Sequence, residues 1–365
     1  MNSGAAPFEG ADPASLQAHM DATPGGDAGS PWAMPRAGWM RVLKRVWVMI
    51  GFHELGLLAA GLAFYTFLAL TPLIAATVMV YGLVADVAMV REQMASIVNV
   101  VPPDVARMLE EQLIRIISTN SGVTGLALVI ALVFAIYGGM RAAGGMVSAL
   151  NIINEERETR GMVALTLRTG GLTLAAILLA LTGVLSGGVF AWLQTKAGIY
   201  LGGATALLFK VLTWIAAIAL GSTGFALIMR YGPDRRPAKW RWLVPGSLLA
   251  TLLWIAVSFG FSLYVAYISD YNATYGSLSA IVVFLMWLFL SAYGILLGAL
   301  LNAEIERQTF CDTTIGPPRP IGERGAVLAD LVDEAVPSSD QLSRHKRHRA
   351  DAVRRAADGE DGAGS

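Results

Sequence analysis

The stretch "AIVVFLMWLFLSAYGILLGALLNAEIER", Ala280 to Arg307, decides how the rest of this chain is read. A long uncharged run ends in Asn302, Glu304, Glu306 and Arg307. A hydrocarbon core about 30 Å thick is crossed by roughly 20 apolar helical residues, so the run reads as a membrane span whose polar tip meets water. Working outward from this span, taken over 276–303, five further stretches have its character: 57–84, 123–145, 163–193, 205–229 and 243–268. Composition agrees. Of 365 residues, 55% are hydrophobic and only 15% charged, with a mean hydropathy of +0.56, against about a quarter charged in soluble domains. Backbone groups in lipid must be bonded within a segment or in a closed barrel, and the runs lack the alternation of barrel strands. The expected fold class is an all-α integral membrane protein with six transmembrane helices.

The net charge is zero but unevenly spread. Arg36, Arg41, Lys44 and Arg45 precede the first span. Arg157 and Arg160 lie between spans two and three, and Arg235, Arg236, Lys239 and Arg241 between spans four and five. The intervening loops hold few basic residues, so the Arg-rich side is expected to be cytoplasmic, with both termini inside. The first basic residue is Arg36, which does not fit the charged start of a cleaved signal peptide. A single cysteine, Cys311, excludes an intramolecular disulfide.

Residues 1–34 and 309–365 read as disordered tails, from their Gly, Ala, Pro and Asp content at one end and polar character at the other. The basic "RHKRHR" cluster, Arg344 to Arg349, receives no role, and no nucleic-acid partner is expected. Residues 35–56 are expected to form an amphipathic helix at the membrane surface, with Val42, Val46, Met49 and Ile50 on one side and Arg41, Lys44 and Arg45 mostly elsewhere. Helical spacing over 85–122, broken by Pro102 and Pro103, suggests an external helical hairpin. The membrane domain proper is placed at 57–308.

Within the spans, a few residues invite function. Pro72, next to Thr71 in "GLAFYTFLALTPLIA", removes a backbone donor, which implies a bend or a local opening, and Tyr65 lies in the same stretch. Gly138, Ala142 and Gly145 allow close helix contact. Arg141 beside them must snorkel, pair, line a wet cavity or bind an anionic head group or substrate. Asn151 continues on the inner side. Ser291, Gly294, Gly298 and Asn302 share one stripe of the last span, where small residues at four-residue spacing favour packing and Asn302 can bond across the interface. Glu304 and Asn302 stand about 200° apart on a helix, so no single acidic cluster is expected. Candidate substrate or gating residues are therefore Arg141, Tyr65, Thr71, Pro72, Asn151 and Asn302.

Four motifs together resemble the BrkB/YihY family of inner-membrane proteins, once labelled ribonuclease BN. They are "LAFYTFLALTPL" from Leu62, "ALNIINEERETRG" from Ala149, "YGPDRRPAKWRWLVPGSLLATLLW" from Tyr231, and the run from Tyr275 to Arg307. The resemblance covers roughly 40–308 and implies a six-helix polytopic protein connected with serum resistance and envelope biology. The chain departs from the family at Leu300, where an acidic residue is frequent. The ribonuclease label finds no local support. Of the four histidines, His19, His345 and His348 lie in the tails and His53 reads as an interfacial cap, which leaves no evident acid–base or metal centre. No phosphate loop for ATP is present. The expectation is a non-enzymatic protein, without cofactor or metal, that transports or handles a lipid or anionic envelope component. Its expected partners are membrane lipids and envelope proteins, and a non-transporting scaffold is the alternative.

Overall fold

A computed structural model of the chain describes residues 13–84, 124–201, 203–267 and 278–331. The apolar runs become long helices because every interior amide is bonded within its own helix, the arrangement lipid demands. They are α3 (Leu55–Val84), α4 (Thr124–Ile153), α5 (Met162–Leu201), α6 (Gly203–Tyr231), α7 (Trp240–Tyr267) and α8 (Leu278–Arg307). Before them come α1 (Pro13–Ala22), a 3-10 turn at Pro31–Ala33, and α2 (Arg36–Phe52); a short α9 (Val327–Asp330) follows. No strand occurs among the described residues, only an isolated bridge between Ala238 and Thr314.

Five of the helices are individually long and apolar enough to cross a membrane, and α2 with the start of α3, bent by 63°, makes a sixth candidate. Neighbours close a ring: α3 on α4, α4 on α5, α5 on α6, α6 on α7, α7 on α8 and α8 back on α3. The ring is tight at the end where α8 finishes and the α4–α5 and α6–α7 loops meet, here called the basal end. Leu150, Ile153, Trp242, Leu296, Leu300 and Ile305 are fully buried there. Away from it, α5 buries only Thr169 among its described side chains, and Leu178, Leu181, Trp214 and Met286 are exposed. Such exposure is costly in water and neutral in hydrocarbon, so it agrees with a membrane setting.

Small residues set the helix spacing. A Cβ added at Gly138 would lie 2.8 Å from the Ala69 Cα, and one at Gly298 would lie 2.3 Å from the Gly246 carbonyl oxygen. The α3–α4 and α7–α8 pairs are thus in backbone contact at these points.

The reading of both ends as disordered tails needs correction for residues 23–34 and 309–331. Thr23 and Ala28 are buried, the Phe310 amide donates to the Gly26 carbonyl at 2.8 Å, and the Thr309 hydroxyl donates to the Gly26 and Ala28 carbonyls. Further on, the Lys239 amide donates to Thr313, the Ile315 amide to Pro237 and the Arg236 amide to Gly325. Both ends fold as a cap over the basal face. Backbone bonds between loops carry no periodic signal, and their Gly- and Pro-rich composition imitates disorder. The expected hairpin over 85–122 and the basic cluster at Arg344–Arg349 lie outside the described residues.

Candidate functional site

The basal end gathers the charges. Arg45 sits on the inner face of α2 between Val42, Val46 and Met49, all buried against α8. It is fully buried, donates from Nε to Glu304 Oε2 at 2.8 Å and from Nη2 to the Glu304 carbonyl at 2.9 Å. Glu304 also faces Arg307 at 3.8 Å, and Arg307 reaches Glu155 at 2.5 Å. A chain of alternating charge, Arg45, Glu304, Arg307 and Glu155, therefore ties α2 to α8 and to the end of α4. Glu155 adopts a left-handed conformation, φ 57°, directly after Asn154 at the helix end. This corrects the placement of Arg45 away from the apolar side of its helix.

A second pair runs beside the first. Arg235, from the α6–α7 loop, grips Glu306 with two bonds of 2.7 and 2.6 Å and touches Asn154 Oδ1 at 3.0 Å. Thr313 donates its hydroxyl to the same carboxylate. Two-point arginine–carboxylate contacts are the strong, orienting kind. The "RYGPDRRPAKWRW" loop thus does more than mark topology, because its arginines hold the terminal turn of α8 in place.

Asn151 and Asn302 extend this lattice. Asn151 Oδ1 accepts the Asp234 amide at 2.7 Å, and its Nδ2 donates to Glu158 at 2.9 Å, which joins three segments. Asn302 Oδ1 accepts the Gly246 amide at 2.7 Å while Nδ2 donates to the Leu243 carbonyl at 3.0 Å. These bonds flank Pro245, which lacks a donor and interrupts the ladder near the start of α7. Both asparagines have their amide groups engaged in bridging bonds. Leu300, by contrast, is fully buried in the apolar core.

Carboxylates at the loop surface differ by environment. Burial raises Glu156 from 4.5 to about 7, against the opposing pull of the Val327 amide it accepts and the Arg235 charge. At Asp234 burial also opposes ionisation, but the Thr159 hydroxyl and amide and the Arg160 charge outweigh it and hold the group below its usual range. The hydrogen bond from Arg160 lowers Glu158. Among the described residues no three His, Cys, Asp or Glu are grouped to hold a metal ion.

The remaining candidates lie elsewhere. Arg141 is exposed, twelve residues before the end of α4 and so about 18 Å from it; it donates to the Tyr137 hydroxyl at 2.9 Å and lies 5.3 Å from that ring's centre. Tyr65 is exposed and its ring comes within 3.3 Å of where a Gly145 Cβ would sit. Ala142 is half-buried near this seam. Helix α3 runs through Thr71 and Pro72, whose side chains lie outside the described residues. Gly294 faces Leu253 of α7, and Ser291 is buried. The four candidates with described side chains thus split, Arg141 and Tyr65 at mid-helix and Asn151 and Asn302 in the basal lattice, and do not form one site. A third feature is an apolar cavity of about 400 Å3 between the outer halves of α7 and α8, lined by Val257, Phe261, Tyr264, Val282, Met286 and Leu290 among others.

A family model described as Virulence factor BrkB matches residues 46–320. The chain belongs to the BrkB family. The match takes in all six long helices and most of the basal lattice, and begins one residue after Arg45. Among relatives, the ribonuclease-like protein YfkH of Bacillus subtilis is 27% identical over 275 residues, 74% of this chain and 96% of that protein. A UPF0761 membrane protein of Rhodospirillum centenum is 28% identical over 312 residues, 84% of this chain and 64% of the relative. One from Alkalilimnicola ehrlichii is 30% identical over 244 residues, 66% and 53% of the two. The chain therefore spans less than two thirds of the length of these two UPF0761 proteins. No solved structure matches. This BrkB-family chain is a polytopic membrane protein.

The residues that hold the basal end, Arg45, Glu155, Arg235, Glu304, Glu306 and Arg307, were not among the sequence candidates. A signal existed for three of them. Arg45 has the helical register of Val42 and Val46, and Glu304 and Glu306 directly follow an uninterrupted apolar span.

Proposed function

We propose that this BrkB-family protein handles a lipid or an anionic envelope component in the bacterial inner membrane, without an ATPase or other enzymatic activity of its own. The observation that carries this reading is the apolar cavity between α7 and α8. Its volume is in the range of ligand pockets. Val257 stands seventeen residues beyond Trp240, about 25 Å along α7 from the basal end, where hydrocarbon rather than water would surround the cavity. An acyl chain is the chemistry that such a lining accepts. Arg141 supports the anionic half of the proposal. By length Arg141 falls near the inner edge of its span, 123–145, where an anionic head group would give the guanidinium a counter-charge that the Tyr137 hydroxyl does not supply.

The Arg-rich loops favour a cytoplasmic basal end and cytoplasmic termini. Exposed Met40, Leu43 and Trp47 on α2, opposite its buried face, suit a helix lying at the membrane surface. The test is mass analysis of lipids retained with the protein extracted into nanodiscs, for wild type, Arg141→Ala and Met286→Trp. Selective enrichment of an anionic lipid is expected in wild type, reduced by loss of the arginine and by filling of the cavity. Lipids in bulk proportion in all three samples would overturn the proposal.

A further inference from the structure

Close to the Arg235–Glu306 pair, among α4, α6, α7 and α8, lies a cavity of about 20 Å3. That is room for one water-sized sphere, too little for a phosphate group. Arg230, Arg235, Trp242, Asn302 and Glu306 are among its polar walls. Their hydrogen-bonding capacity is unevenly used. Glu306 already accepts from Arg235 and Thr313, and Asn302 Oδ1 accepts from Gly246. The buried groups of the wall without a partner are both donors, Arg230 Nε and the indole N–H of Trp242. Both residues are at least nine-tenths buried.

The charges are uneven in the same sense. Arg235 is balanced by Glu306. Arg230 has no carboxylate partner among the described residues. It donates to the Ala238 carbonyl and lies over the Trp240 and Tyr231 rings, at 4.7 and 5.5 Å from their centres. One positive charge in the wall is thus met only by aromatic faces and a carbonyl. A buried cation without a counter-charge is unfavourable.

We propose that this cavity is a binding site for one small monovalent anion of halide size, held by Arg230 Nε and the Trp242 indole N–H. A water would receive the same two bonds and could place its hydrogens on the remaining lone pairs of Asn302 Oδ1 or Glu306, but it brings no charge to set against Arg230. A halide only accepts, and it supplies the missing negative charge. The site joins the end of α6 to the start of α7, so occupancy stabilises the packed basal end.

The experiment is thermal unfolding of the full chain in nanodiscs, in sodium chloride or sodium bromide against sodium gluconate at equal ionic strength. A rise in midpoint that saturates with halide concentration is expected, as for any ligand that binds the folded state alone. Trp242→Phe, which keeps the ring and removes the donor, should lose most of that rise, and Arg230→Gln should abolish it. If Arg230→Gln fails to fold, Trp242→Phe still decides. Equal midpoints in halide and gluconate, or a halide effect unchanged in Trp242→Phe, would overturn the proposal and leave the cavity to water.

Discussion

Replacing Gly298 by alanine adds one methyl group where α7 and α8 meet backbone to backbone. The new Cβ would lie 2.3 Å from the Gly246 carbonyl oxygen and 2.9 Å from the Ala250 Cβ, whereas ordinary contact begins at 3.4 Å. The shortfall is about 1 Å, and backbone cannot swing aside as a long side chain can. The helices must therefore separate, which stretches the bonds from Asn302 to the Gly246 amide and Leu243 carbonyl. Overpacking of this kind costs about 1 to 3 kcal/mol, and each weakened buried hydrogen bond adds about 1 kcal/mol. A loss of about 3 to 5 kcal/mol is expected. Reversible unfolding in detergent or nanodiscs measures it, with two controls. Gly294→Ala, whose Cβ would meet the Leu253 Cβ at 3.2 Å, should cost less, and Gly61→Ala, with nothing within 4 Å, should be neutral or slightly stabilising. If Gly298→Ala unfolds together with Gly61→Ala, the contact does not set the helix spacing and the reasoning fails.

Arg45→Ala should destabilise by about 3 to 5 kcal/mol, because it strands the buried Glu304 carboxylate. The double variant Arg45→Met with Glu304→Leu should recover much of that loss; an additive loss in denaturant melts would contradict this. Stability should fall as pH rises from about 4.5 to about 7, since Glu156 holds its proton more tightly folded than unfolded across that window. Glu156→Gln should flatten this part of the pH profile in thermal melts, and an unchanged slope would assign it to other groups. Thr159→Val should raise the Asp234 carboxyl toward its ordinary range by removing a hydroxyl donor. Its signature is acid unfolding that begins at higher pH than in wild type.

The membrane class, the helices and two packing seams were legible from the chain alone. Gly138 and Gly298 were recognised as contact points because small residues at four-residue spacing imply close approach whatever the partner is. The partner itself was not legible: that Gly298 meets Gly246, fifty-two residues earlier, depends on α7 lying beside α8. Asn302 bonds across the interface to the Gly246 amide and the Leu243 carbonyl, partners more than fifty positions away in the chain. Arg141 was expected to snorkel, pair or bind, and it lies exposed against Tyr137. The folded portions of the two ends were missed, since their contacts are backbone bonds between loops of low-complexity composition.

Properties that depend only on neighbours along the chain can be read in one dimension. Apolar length fixes which segments can enter lipid, and helical bonding is closed within each segment, so neither requires knowledge of a distant residue. The pairing of charges, by contrast, follows from how the helices and loops pack together. Arg45 and Glu304 stand 259 positions apart, and Arg235 and Glu306 stand 71 apart. In one dimension each looks like a solvated helix end. In three dimensions burial removes the water that would have satisfied them, and only a partner of opposite charge makes that placement tolerable.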